Sequence, residues 1–124
     1  MPKLLIVDNE IYFATNIAKL MREINKEFDA MAVYNEEEAL RQLDKSSYDV
    51  VVTDVRLSAK TNGIALAETI KNRWPGTSII IMTAYGSQEV IEHAFRSGTL
   101  FYIEKPFRIE KLENLINMVL AKKK

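Results

Sequence analysis

Four short apolar runs constrain this chain more than any other feature, because each ends on a polar residue suited to handling phosphate. Leu4-Leu5-Ile6-Val7 ends on Asp8, and Val50-Val51-Val52-Thr53 ends on Asp54. Ser78-Ile79-Ile80-Ile81-Met82 ends on Thr83, and Leu100-Phe101-Tyr102-Ile103-Glu104 ends on Lys105. Short runs rich in Val, Ile and Leu read as buried strands of a parallel sheet. In an open α/β sheet, ligands bind outside the carboxyl ends of the strands. Parallel neighbours would bring two carboxylates, a hydroxyl and an ammonium to one crevice. The carboxylates suit a divalent cation, and Thr with Lys suits an anion. Such a set can pass a phosphoryl group to an aspartate.

Between the runs the hydrophobic period changes to that of a helix. Ala14, Ile17, Ala18, Met21 and Ile24 fall on one helical face. Asp29 to Tyr34 reads as a short, weak strand. Asn35 is a good N-cap, and Glu36, Glu37 and Glu38 follow where the helix dipole favours acids. Ala39, Leu40 and Leu43 give that helix its buried stripe. A polar loop from Ser58 to Gly63 precedes a third helix with Leu66, Ala67, Ile70 and Trp74 on one side. Pro75-Gly76 stops it. A short fourth helix is expected after Ser87, with Val90, Ile91, Ala94 and Phe95 as its apolar side and Gly98 as its end. A fifth would bury Ile109, Leu112, Ile116, Val119 and Leu120. Strand and helix thus alternate five times. The expected fold is α/β, a doubly wound (flavodoxin-like) five-stranded parallel sheet of order 2-1-3-4-5 with five helices on both faces.

With 124 residues, 48% of them hydrophobic, the chain suits one domain with a sizeable core. Seventeen Lys and Arg balance seventeen Asp and Glu, so no broad basic field argues for nucleic acid or an anionic membrane. There is no cysteine, which excludes disulfides and thiolate metal sites. No apolar stretch approaches the roughly 20 residues of a membrane span, and a cytoplasmic location is expected. Residues 1–121 form the expected domain, and Lys122-Lys123-Lys124 a solvated basic tail or the start of a linker.

Asp8, Asn9 and Glu10 follow the first strand, and in a 2-1-3 order Asp54 ends its neighbour. Carboxylates a few Å apart repel unless a cation lies between them. Magnesium fits, since it takes oxygen ligands and keeps waters. Acidic helix caps would account for Asp8 or Glu10 alone, but poorly for Asp54, which precedes a loop. Asp54 is the candidate nucleophile, able to form an acyl phosphate. Lys105 is the natural cation for the phosphoryl oxygens. The Lys105–Pro106 peptide is a candidate cis bond. Lys105 or Thr83 alone could be an ordinary surface or strand-end residue; the four strand ends together are harder to dismiss.

Leu-Ile-Val-Asp8-Asn-Glu10, Val-Val-Thr-Asp54-Val-Arg-Leu, Ile-Met-Thr83-Ala84 and Tyr102-Ile-Glu-Lys105-Pro106-Phe107 carry a family likeness. From end to end the chain resembles the CheY-like receiver domain of two-component response regulators. The order 2-1-3-4-5 is the family's own, so topology and resemblance are one argument rather than two. The resemblance implies that Asp54 is the phosphoacceptor. It implies a magnesium site of Asp8, Asn9, Asp54 and the backbone carbonyl of Arg56. Thr83 corresponds to the switch hydroxyl, Ala84 to the small residue that leaves access, Lys105 to the phosphate-binding lysine and Tyr102 to the aromatic switch. The implied module is a phosphorylation-activated signalling switch, not an enzyme beyond self-catalysed phosphotransfer and slow autodephosphorylation. Its implied partners are a histidine kinase or phosphotransfer protein, then an output domain or partner protein. The output domain or partner protein would meet the surface of the fourth helix, fifth strand and fifth helix. Phosphorylation adds about −1.5 to −2 charge and three strong acceptors. Thr83 and Lys105 would close on them and leave room for Tyr102 to turn inward.

The chain departs from the family pattern at several places. Asn9 stands where the second acid is usually Asp, which predicts weaker magnesium binding. Ser58 stands where Pro is frequent, and the run to Asn62-Gly63 is one residue longer than usual. Phe101 replaces a residue that is commonly polar or small, so it either joins a contact surface for a partner or a second copy, or packs in the core. His93, the only histidine, is expected to be an ordinary helix residue. Two rival readings remain. An aspartate-based phosphatase usually wants an acid two residues after its nucleophile, and Arg56 stands there. A degenerate receiver that binds without phosphorylation draws support from Asn9 alone. No Gly-rich loop follows any strand, which argues against nucleotide binding. Nothing in the chain identifies the kinase, the output or the regulated process.

Overall fold

Strands covered on both faces must be apolar at nearly every position, and Leu4 to Val7 and Val50 to Val52 are completely buried. The structure, a computed structural model, describes residues 1–57, 63–84, 92 and 101–122. Its elements are β1 (Lys3–Val7), α1 (Ile11–Ile24), β2 (Asp29–Val33), α2 (Glu36–Lys45), β3 (Val50–Asp54), α3 (Gly63–Arg73), β4 (Ser78–Thr83), β5 (Phe101–Glu104) and a C-terminal helix, α4 (Ile109–Lys122). All strand pairs are parallel, and the sheet runs β2-β1-β3-β4-β5.

The order is the expected one; the helix count is not. Four helices, not five, are present among the described residues. The short helix expected after Ser87 falls, with His93, outside them, as do Ser58 and Asn62. That expectation rested on a stripe of four apolar residues. A stripe that short is a weak signal, because helices of so few residues are marginal on local sequence alone.

Alternate side chains of each strand feed two cores. On one face Leu4, Ile6, Val50, Val52, Ile80, Met82 and Ile103 pack against Ala14, Ile17 and Met21 of α1 and Leu112, Ile116 and Val119 of α4. On the other, Leu5, Val7, Val51, Ile79 and Ile81 meet Ala39 and Leu43 of α2 and Leu66, Ala67 and Ile70 of α3. Each fully buried Leu or Ile contributes about 1.5–3 kcal/mol. Local signals agree with this packing. Asn35 caps α2, its side chain accepting the Glu38 N–H at 2.8 Å.

The register brings the polar strand ends together. Val7 lies opposite Thr53, so Asp8 and Asp54, each the next residue, leave the sheet at one level. Asp54 pairs with Met82, and Thr83 with Glu104, which steps Thr83 and Lys105 up along the same rim. The Lys105 N–H donates to the Thr83 carbonyl at 2.7 Å. The Lys105–Pro106 peptide is cis.

Candidate functional site

Asp8 is fully buried, and both its carboxylate oxygens are engaged. Oδ1 accepts the Glu10 N–H at 2.9 Å, and Oδ2 accepts from Lys105 Nζ at 2.7 Å. Lys105 Nζ also stands 3.5 Å from Asp54 Oδ1. One ammonium therefore bridges two carboxylates from adjacent strands. The Asp54 side chain keeps 13% of its surface exposed and that of Lys105 17%. That exposure admits an incoming group while leaving the charges poorly screened. Burial raises the Asp54 carboxyl above the ordinary carboxylate range, and the negative charge of Asp8 adds to the rise. The Lys105 ammonium and the Val55 N–H pull the other way.

Backbone contacts hold the Asp54 corner. Val55 N–H donates to the Met82 carbonyl at 3.0 Å, and Gly63 N–H to the Val55 carbonyl at 2.8 Å. Thr53 Oγ1 donates to the Asp54 carbonyl at 3.1 Å. Gly63 is needed for close approach, since a Cβ there would overlap the Asp54 carbonyl oxygen. The start of α3 is thereby pressed against the end of β3.

The remaining expected residues lie around this core at differing depths. Thr83 is buried at the end of β4, with Ala84 exposed beside it. Asn9 is exposed next to buried Asp8, and the Arg56 side chain is exposed past Asp54. Tyr102 is 39% exposed on β5, so its ring faces out in this conformation. Among the described residues no group of three or more His, Cys, Asp or Glu side chains gathers as a metal cluster. The expected set has two acids, an amide and a peptide carbonyl. All of these are hard oxygen donors, which fits magnesium.

Sequence reasoning missed Phe13. Its ring lies under the Lys105 ammonium, 4.3 Å from centroid to Nζ, and meets Phe107 edge-on at 6.2 Å and 83°. A signal existed: Phe13 sits four residues before Ile17, at the rim of the α1 apolar stripe, where an aromatic exceeds what the stripe requires.

Known proteins share the sequence pattern and fold of this chain. Residues 4–117 match the family model described as the response regulator receiver domain. The chain is 32% identical over 118 residues to the transcriptional regulatory protein ZraR of Salmonella typhimurium, covering 95% of this chain and 26% of ZraR. It is 32% identical over 113 residues to a putative NtrX-like response regulator of Rickettsia bellii, covering 90% of this chain and 23% of that protein. The chain thus spans about a quarter of the length of these curated relatives. The receiver domain of a Francisella response regulator superposes over 100% of both chains with a TM-score of 0.87 and 30% identity. A two-component response regulator of Clostridium difficile does so with a TM-score of 0.89 and 26% identity, over 98% of this chain and 97% of that one. Family model, relatives and fold agree: the chain belongs to the response regulator receiver domains, the phosphorelay signalling modules of two-component systems.

Proposed function

We propose that Asp54 accepts a phosphoryl group from a histidine kinase or phosphotransfer protein, and that the acyl phosphate changes the surface around Tyr102. The observation that carries this reading is the Lys105 ammonium seated between the Asp8 and Asp54 carboxylates. A carboxylate oxygen of Asp54 forms the new O–P bond as the P–N bond to the donor imidazole breaks. The imidazole keeps the electron pair and takes up a proton. Lys105 exchanges its contact with Asp54 Oδ1 for a phosphoryl oxygen, so its charge follows the group as it transfers.

Asp8, Asn9, Asp54 and the Arg56 carbonyl are the residues that would hold magnesium. When bound, the metal supplies positive charge beside the non-bridging phosphoryl oxygens. Asp8 is fixed for such a role by the Glu10 N–H on one oxygen and Lys105 on the other. Thr83, buried at the neighbouring strand end, supplies a hydroxyl for the phosphoryl group. Closure of Thr83 vacates space toward which the exposed Tyr102 ring turns. The output domain or partner then reads β5 and α4. We place the receiver unit at residues 1–121, acting in the cytoplasm. Among the described residues no helix is long and apolar enough to cross a membrane.

Incubation with acetyl phosphate and magnesium tests the proposal. The wild type is expected to gain an acid-stable, base-labile adduct, and a chelator or Asp54→Asn to abolish it. A wild type that binds partners but gains no adduct would favour a degenerate receiver. Steady turnover of a phosphomonoester would favour a phosphatase.

A further inference from the structure

The Lys105 ammonium lies 2.7 Å from Asp8 Oδ2, 3.5 Å from Asp54 Oδ1 and 4.3 Å from the Phe13 ring centroid. Of these three, the ring alone carries no formal charge. An aromatic face attracts a cation through its quadrupole and supplies no localised acceptor. The cation can therefore pivot above it without breaking a directed bond. That property matters at Lys105. Asp8 is buried and short-bonded, so two carboxylates alone would draw the ammonium down toward Asp8. The ring gives it a second resting surface. Phe107, two residues beyond Lys105, holds the ring edge-on and so ties α1 to the segment after β5. Core filling does not require an aromatic here. Phe13 is only partly buried at the margin of the α1–α4 core, where an aliphatic side chain would also pack.

We propose that Phe13 is a positioning residue for phosphoryl transfer, one whose ring holds the Lys105 ammonium where it can pass from Asp54 to the incoming phosphoryl group. The proposal rests on the reading of Asp54 as phosphoacceptor. It predicts that Phe13→Leu, which keeps the apolar body and removes the π face, slows Asp54 phosphorylation by acetyl phosphate about threefold to tenfold. Phe13→Tyr, which keeps the face, restores the rate.

The test measures these rates at saturating magnesium, alone and in a Lys105→Gln background that keeps a donor for Asp8. In that background Phe13→Leu is expected to add less than about twofold, because the two residues act as one unit. Wild-type NMR should also show the Lys105 side-chain protons nearest Nζ shifted upfield by the ring, and Phe13→Leu should remove that shift. The NMR readout stands even if the Lys105 variant fails to fold. An equal slowing with and without Lys105, an unchanged Phe13→Leu rate, or absence of the ring shift would overturn the proposal while leaving Asp54 as acceptor. A wild type that gains no phosphoryl group would instead overturn the underlying reading, and the positioning role with it.

Discussion

At the scale of single residues the site is a small electrostatic balance, with two carboxylates sharing one ammonium. Removing one partner of a buried ion pair leaves the other uncompensated. Lys105→Ala strands the fully buried Asp8, and the expected loss is about 3 kcal/mol in urea unfolding. Asp54 works in the opposite sense, because burial and Asp8 raise its folded pKa above the unfolded value. Below the unfolded value, near 3.9, both states are protonated and no penalty exists. The penalty grows as pH rises from there to the folded value and is complete above it. Asp54→Asn should therefore stabilise the protein at pH 7. The gain should shrink as pH falls and vanish below about 3.9, as thermal melts across that range would read. At Asn9 the expected substitution effect concerns the metal. Asn9→Asp adds a carboxylate beside Asp8, and a magnesium titration should show tighter binding than the wild type.

At the scale of elements, the strand ends matter because their neighbours hold them at one level. Gly63 shows how closely: its backbone occupies the space beside the Asp54 carbonyl where a Cβ would collide. Gly63→Ala should cost about 1–3 kcal/mol, in the range of overpacked sites, and slow phosphorylation by moving the end of β3. Asn35→Ala removes the α2 cap and should cost about 1 kcal/mol without touching the site. The strands were legible because burial on both faces forces unbroken apolar runs, as in Ile79-Ile80-Ile81. The long amphipathic helices were legible by period: α1 buries Ala14, Ile17, Ala18 and Met21 of its expected stripe and α4 buries Leu112, Ile116 and Val119, while Ile24, Ile109 and Leu120 at the stripe ends stay half-buried. The stripe after Ser87 offered only four apolar positions, and the helix expected from it falls outside the described residues. Phe13 was legible only as a surplus aromatic at the rim of the α1 stripe. Its meaning depends on Lys105, a partner distant in sequence, and no local period encodes that contact.

At the scale of the whole molecule, the doubly wound sheet gathers Asp8, Asp54, Thr83 and Lys105 at one rim. Phe101 packs at the margin of the α1–α4 core, and Lys122 Nζ stands 5.3 Å from its ring centroid. That packing narrows the contact-surface idea toward Tyr102, which is the more exposed of the pair. If Phe101 still serves a second copy, light scattering with a phosphoryl mimic should show a dimer that Phe101→Ala loses. A purely packing role would leave the dimer intact. The curated relatives are about four times longer than this chain, so the output they control is not inherited from the likeness. The central claim is narrower: this rim forms an acyl phosphate on Asp54. Peptide mapping by mass spectrometry after incubation with acetyl phosphate and magnesium tests it most directly. One phosphoryl group is expected, on the peptide containing Asp54, removed by mild base and absent from Asp54→Asn. A phosphoryl group on any other residue, or none, would contradict it.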